Sequence, residues 1–310
     1  IDLLIFGLLF KIDIHLMPDL PLATPDIDRA MFDTILDTNI IQPDQIKIYP
    51  CEIVPFTVIK KWHDAGRYVS YCDKNPRDLL DVVKYAMKLC PPWIRMPRII
   101  RDIPLEYIQG GNKYPNLRQM ITDELKTEGC SIMEIRSREI GRNLDYKFED
   151  SEYVTRKYEA GGGIEYFISL ESKDRHAIFG FIRLRIPPDN HAPVFKCLKD
   201  SALVRELHVY NHLMCVGEKS TDSNLNLNTQ HRGTGKALLR RAEWIAWSRH
   251  NRTKIVVISG EGVKGYYYKR GYTECETFVV KSWIMNRNQA ISILIVLYLI
   301  MIQVISVLFI

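Results

Sequence analysis

Apolar positions recur along this chain with two different periods, and the switching between them predicts its elements. Between residues 11 and 140, apolar runs at 11–16 and 45–49 alternate with helical spacing over 29–36, 78–89 and 117–127. Strands alternating with helices predict a parallel α/β arrangement. Two or three such units are too few to close a barrel, so this region reads as the end of a larger domain. A polar, charge-rich connection over 143–160 leads into Gly161-Gly162-Gly163 and a strand pair at 165–170 and 178–185. That pair is expected to form the antiparallel half of a second sheet.

The pattern sharpens further along. Residues 202–210 predict a strand with Leu203, Leu207 and Val209 on one face and Glu206 and His208 on the other. Residues 211–228, rich in Asn, Ser and Asp, read as a solvated loop. Leu238, Leu239, Ala242, Ile245 and Ala246 then fall at helical spacing, which turns Arg240, Arg241 and Glu243 toward water. The apolar run at 254–259 predicts a strand covered on both faces. The chain therefore divides near residue 140, into units over 1–140 and 141–283.

Both ends are strongly apolar. Residues 1–10 read as a buried strand continuing into Ile12, Ile14 and Leu16. A signal-peptide core is the alternative, but no basic segment precedes the run and no small-residue cleavage site follows it. Residues 290–310 carry no charge, and only Ser292, Tyr298, Gln303 and Ser306 interrupt them. At ~1.5 Å per residue, about 21 helical residues span a ~30 Å hydrocarbon core. With Lys281 and Arg287 just before it, this segment predicts a transmembrane tail anchor, the body of the protein lying in the cytoplasm. The membrane expected is intracellular, mitochondrial outer or endoplasmic reticulum.

Composition changes the picture little. A formal net charge of +5 permits contact with a polyanion without demanding it. The seven cysteines (Cys51, Cys72, Cys90, Cys130, Cys197, Cys215 and Cys275) are scattered singly, with no CxxC pair. No metal site is legible in that spacing, neither a zinc ribbon nor an iron–sulfur centre, and dispersed cysteines suit a reducing compartment. Cys51 is expected to be a buried structural cysteine.

The chemistry sits in two short motifs. Gln230-His231-Arg232-Gly233-Thr234-Gly235-Lys236 opens the amphipathic helix, and Gly262-Val263-Lys264-Gly265-Tyr266-Tyr267 follows the apolar strand. A Gly-x-Gly turn at a helix start exposes backbone N–H groups that no intrahelical carbonyl satisfies, and the helix dipole adds positive potential. Such a cradle suits a pyrophosphate. Strand, phosphate loop, helix and strand in this order resemble the core of the GCN5-related acetyltransferases, whose cofactor is acetyl-CoA. A plain βαβ unit without ligand is the bland alternative.

Further motifs resemble one family along most of the chain. They are residues 13–21 (Asp-Ile-His-Leu-Met-Pro-Asp-Leu-Pro), Lys47-Ile48-Tyr49-Pro50, Gly66-Arg67-Tyr68, Pro91-Pro92-Trp93 and Arg101-Asp102-Ile103-Pro104. Residues 136–141, 204–210, 230–235 and 257–260 continue the series. Together they resemble the catalytic subunits of Elongator, in order, from about residue 11 to Trp283. The resemblance implies the C-terminal part of a radical S-adenosylmethionine (β/α) barrel followed by an α+β GCN5-related acetyltransferase domain. It implies synthesis of 5-carboxymethyluridine at the wobble position of tRNA with acetyl-CoA as carbon source. S-adenosylmethionine and an iron–sulfur cluster belong to the complete family protein. The cluster's cysteine triad has no match here, so the chain is expected to be N-terminally incomplete and unable to perform the radical step alone. Implied partners are tRNA, other Elongator subunits and a second copy in a homodimer.

Carried over position by position, Glu206, Leu207, His208 and Val209 match the strand lining the acetyl-pantetheine arm. Gln230, Gly233, Thr234, Gly235 and Lys236 match the pyrophosphate loop, and Tyr266 and Tyr267 match paired tyrosines. Either tyrosine is a candidate to protonate the leaving thiolate, Tyr267 being preferred, and Glu206 is a candidate general base. A solvated strand carboxylate and packed core tyrosines are the bland readings of the same residues. Thr229, Asn211 and Cys51 depart from the family pattern. For tRNA, Arg95, Arg98, Arg101, Arg136, Arg138 and Arg142 are basic candidates with Trp93 and Tyr107 as stacking neighbours, although evenly spaced arginines more often form salt-bridged faces. Transfer to protein lysines (histone or tubulin) and a non-enzymatic, membrane-tethered assembly role are the rival functions.

Overall fold

The computed structural model describes residues 11–37, 42–142, 145–189, 193–210 and 233–308, with side chains through Ile302 in the last segment. In the first part, strands β1 (Asp13–Leu16), β2 (Gln45–Ile48), β3 (Glu52–Ile53), β4 (Arg95–Arg98) and β5 (Gly110–Gly111) are interspersed with helices. These are α1 (Pro25–Leu36), α2 (Val58–Asp64), α3 (Tyr71–Lys74), α4 (Pro76–Leu89), α5 (Leu117–Thr127) and α6 (Ile135–Arg138). The starts of α1 and α4 follow from local chemistry. Thr24 and Asn75 accept from the N–H groups of Ile27 and Arg77, and each is followed by a proline, whose missing N–H costs nothing at a first helical position. Strands β1, β2 and β4 form a parallel sheet in that order, packed through Ile46, Ile48 and Met96 against Phe32, Val82, Val83 and Ile121.

The second part is a seven-stranded sheet. It comprises β6 (Ser151–Ala160), β7 (Gly163–Ser172), β8 (Ile178–Ile186), β9 (Ser201–Val209), β10 (Lys254–Val257), β11 (Thr273–Cys275) and β12 (Phe278–Ser282), in the order β11-β12-β10-β9-β8-β7-β6. The chain passes from β9 to the parallel strand β10 through helix α7 (Thr234–His250), and α8 (Lys264–Tyr268) follows β10. The β6–β7 hairpin turns on Gly161 and Gly162, both at positive φ (48° and 68°), which a tight two-residue turn matching strand twist requires. The periodic face of α7 is buried as the spacing predicts, Leu238, Leu239, Ala242, Ile245 and Ala246 packing on Ile182 and Val204.

Four expectations are corrected. Residues 143–160 are not simply a polar connection, because Ser151–Ala160 forms β6, the edge strand of the large sheet, where polar residues face water. Leu203 does not share a face with Leu207. Glu206 pairs with Arg183 but Val204 with Leu184, so Arg205 is an extra residue, a bulge that reverses the alternation between them. Leu203 thus packs with Val256, Phe278 and Val280, whereas Ala202, Val204 and Leu207 face α7. Glu243 does not simply face water, because it accepts from the Tyr272 hydroxyl (2.9 Å) and Lys281 (3.0 Å). The tail forms helix α9 (Arg287–Leu308), but among the described residues no helix is long and apolar enough to cross a membrane. The transmembrane anchor expected over 290–310, and the membrane as partner, are therefore unsupported. Residues 1–10 and the loop at 211–228 lie outside the described residues.

A buried ionic cluster joins the two sheets. Asp44, just before β2, accepts two 2.7 Å bonds from Arg205 and lies 3.5 Å from Arg183. Arg205 also reaches Glu165 (3.1 Å), which pairs with Arg185 (3.0 Å). Arg183 donates to the Trp93 carbonyl (2.6 Å), and the Trp93 ring stacks on Tyr158 at 4.5 Å. Every charged member of this set is buried. Asp44 and Trp93 belong to the first part and the arginines to the second, so the cluster sets how the small sheet sits against β8 and β9.

Candidate functional site

Helix α7 starts at a residue that only glycine adopts without strain. Gly233 lies at φ 80°, with no side chain capping the turn, and the first intrahelical bond among the described residues runs from Ala237 N–H to the Gly233 carbonyl. The N–H groups of Gly235 and Lys236 thus precede the helical ladder at the positive end of the dipole. Opposite them, β9 and β10 part company. Their ladder ends at Val204–Val257, while β9 continues along β8 as far as Val209. The gap opens into a cavity of about 440 Å³, lined by Leu207 and Val209 from β9, Gly233, Gly235 and Lys236 from α7, and Tyr266, Tyr267 and Arg270.

The tyrosines are held differently. Their rings meet edge to face at 5.2 Å. Tyr267 is buried, and burial pushes its hydroxyl up to about 12. The Tyr266 hydroxyl is buried without a hydrogen-bond partner among the described residues. It lies 2.7 Å from where a side chain at Gly235 would begin. Burial raises its pKa, opposed by Arg270, whose guanidinium carbon sits 3.5 Å from the ring centroid. A buried unsatisfied hydroxyl is costly, and a polar ligand atom in the cavity would satisfy it. An adjoining groove lined by Lys236, Arg240, Arg241 and Arg249 extends the positive surface from the same helix turn. The sequence pattern marked Arg240 and Arg241 only as water-facing. Their grouping with Lys236 and Arg249 follows from helical geometry.

The other expected site residues are placed as follows. Gln230 lies outside the described residues, and Thr234 is buried beneath the turn. Glu206 and His208 do not line the cavity. Glu206 instead accepts from Lys11 (2.7 Å) and Arg183 (3.0 Å). Burial opposes its ionisation, but Arg183 and Lys11 outweigh burial and hold it below the usual carboxylate range. A carboxylate with both oxygens in ion pairs is a weak base. His208 is exposed at the end of β9, its ring 4.3 Å from that of Tyr210 and 6.0 Å from that of Phe181, and partial desolvation by these neighbours lowers its pKa.

Of the six arginines expected to meet tRNA, Arg95, Arg136 and Arg138 are paired within the fold, Arg98 and Arg101 are exposed, and the side chain of Arg142 lies outside the described residues. Arg95 and Arg136 both pair with Glu139 (2.7 Å each), Arg98 lies 3.5 Å from Asp102, and Arg138 is buried against Glu171 (3.1 Å). Trp93 is stacked on Tyr158 and donates to Gln42, whereas Tyr107 is exposed. The salt-bridged face that such spacing more often forms is present at Arg95, Arg136 and Arg138. Cys51 is buried as expected.

Residues 43–127 match the Radical_SAM C-terminal domain family. Over 276 residues the chain is 34% identical to Elongator complex protein 3 of Bos taurus, covering 88% of this chain and 49% of that protein. It is also 34% identical over 278 residues to the tRNA uridine(34) acetyltransferase of Methanocaldococcus jannaschii, covering 87% and 49% respectively. The chain thus spans about half the length of the curated relatives it matches. The solved structure of the archaeal Methanocaldococcus infernus Elp3 with N-terminus deletion superposes with a TM-score of 0.76 at 32% identity, covering 88% of this chain and 63% of that one.

Proposed function

We propose, from the premise that this chain is a homologue of Elongator complex protein 3 and the tRNA uridine(34) acetyltransferases over about half their length, that it binds acetyl-CoA for modification of the tRNA wobble uridine. The observation that carries this is the cavity between the parted strands, where the start of α7 meets the orphaned Tyr266 hydroxyl. In this reading the amides of Gly235 and Lys236 hold the pyrophosphate, and the Lys236, Arg240 and Arg241 groove neutralises the nucleotide's phosphates. Leu207 and Val209 line the pantetheine arm. The Tyr266 hydroxyl, with Tyr267 behind it, donates to the thioester end of the ligand and stabilises the leaving thiolate. The described residues contain no trio of cysteines close enough for an iron–sulfur cluster, so no radical step is assigned to them.

The lining also bears on the lysine-acetylating alternative. Direct transfer to an amine requires a base to take its proton, and among the described residues no carboxylate lines this cavity.

The test is calorimetric titration of the full chain with acetyl-CoA, together with thioester hydrolysis measured with and without tRNA. Binding and tRNA-stimulated hydrolysis are expected, and a folded protein that binds no acetyl-CoA overturns the reading. Within that assay, Tyr266→Phe should weaken binding or slow hydrolysis by about 3–10-fold, the worth of one neutral hydrogen bond of ~0.5–1.5 kcal/mol. Unchanged kinetics and affinity in that variant would remove the hydroxyl from the mechanism.

A further inference from the structure

A second cluster of chemically capable side chains lies at the far end of the large sheet, away from the cavity. The β11–β12 hairpin pairs Cys275 with Phe278, so Glu276 and Thr277 form its two-residue turn. That turn folds against the short helical turn Lys196–Leu198, just before β9. The Cys197 and Cys275 sulfurs and a Glu276 carboxylate oxygen all lie within 4.8 Å of one another. The carboxylate is already aimed, because Oε2 accepts from the Cys197 N–H at 3.4 Å. Cys197 is buried beside Leu203, Val256 and Phe278, whereas Cys275 is exposed.

We propose that Cys197, Cys275 and Glu276 form a binding site for one thiophilic divalent cation of the zinc class. Two thiolates and a carboxylate are a donor set that zinc takes at roughly 2.3 Å to sulfur and 2.0–2.2 Å to oxygen. Around one tetrahedral ion, donors at those lengths lie roughly 3.3–3.8 Å apart. The donors, within 4.8 Å of one another, must close by about 1 Å, and Cys275 and Glu276 are exposed on the surface hairpin. Three protein donors leave the fourth position, on the exposed side, to water. Binding converts two thiols to thiolates and releases their two protons to solvent. A simple disulfide between the same cysteines is the rival, but it has no use for the carboxylate. The ion would clamp the outermost strand to the entry of β9. Leu203 and Val256 face this cluster while Val204 and Val257 face α7, so the clamp lies across the sheet from the α7 side.

The experiment uses the full chain, reduced with a phosphine, and Co²⁺ as the probe, displaced afterwards by Zn²⁺. One equivalent of cobalt is expected to bind, with a thiolate-to-cobalt charge-transfer band, tetrahedral ligand-field bands and release of two protons. Cys275→Ser should weaken binding on the order of 100-fold and Glu276→Gln about 10-fold, while acetyl-CoA titration of both variants stays unchanged. Cys275 is exposed, so its variant folds even if substitutions at buried Cys197 do not. The proposal fails if reduced protein shows no charge-transfer band at stoichiometric cobalt, or if the band persists in Cys275→Ser. A Cys197–Cys275 disulfide in a protein whose reduced form binds no metal likewise overturns it.

Discussion

Gly235→Arg abolishes acetyl-CoA binding while the protein stays folded. A Cβ at this position would lie 2.7 Å from the Tyr266 hydroxyl and 3.5 Å from a Val209 methyl group. Gly235, Tyr266 and Val209 all line the cavity, so an arginine side chain at this position enters the space the ligand needs. The backbone offers no objection, because Gly235 is not among the positive-φ glycines and arginine is a good helix former. The loss is at least ~100-fold in affinity, or about 2.7 kcal/mol. Calorimetry reads the affinity, and far-ultraviolet circular dichroism with a thermal melt reads the fold. Wild-type affinity in a folded Gly235→Arg protein would place the ligand elsewhere. Gly233→Arg is a poorer probe, because its positive φ strains any side chain whatever the space around it.

Asp44→Asn costs the protein about 3–5 kcal/mol of stability, because it leaves buried Arg205 and Arg183 without their shared anion. Chemical denaturation should show this as a lower midpoint. A loss under ~1 kcal/mol would mean that the arginines find other partners or reach water. The pH dependence carries a second signature. Burial acts to raise the Asp44 pKa, but Arg205 and Arg183 more than offset it and hold the carboxyl below its ordinary value. A group whose folded pKa is depressed contributes stability that is fully present above its unfolded value, roughly 3.9, and is lost as pH falls through the folded value. The wild-type protein should therefore lose stability below about pH 4 more steeply than Asp44→Asn, which has no carboxyl to protonate there.

Because the cluster spans the two sheets, its failure is also expected to disturb Glu206, which shares Arg183 with Asp44. That sharing changes the meaning of Glu206. On a strand diagram it is a carboxylate beside a cofactor site. In the fold it lies on the face of β9 turned toward Lys11 and the first part of the chain.

Local patterning placed the strongly periodic elements but missed others, reading 143–160 as a connection where β6 forms and leaving β11 and β12 unread. The 3.6-residue spacing over Leu238 to Ala246 and the Gly-x-Gly before it determined helix α7, its buried face and its uncapped start. Residues 117–127 became a helix with those same bounds. These features depend on neighbours a few residues apart, which a linear pattern records. What the linear pattern does not record is contact between distant segments. The bulge at Arg205 exists because β8 and β9 must pair in register while Arg205 reaches Asp44 and Glu165, and that one residue reassigned Leu203 to the opposite face. The carboxylates that pair Arg95 and Arg138, Glu139 and Glu171, lie far from them in sequence and are brought beside them by the fold. Cys197, Cys275 and Glu276 converge for the same reason, since a hairpin turn is folded onto a segment far earlier in the chain. The sequence by itself determined the strongly periodic strands and helices and the glycine turn that opens α7, because periodicity and turn chemistry are local. Only the tertiary structure decided which charges are paired, which faces are buried and which side chains share a site. Ion pairing and burial depend on distances that sheet register and packing set.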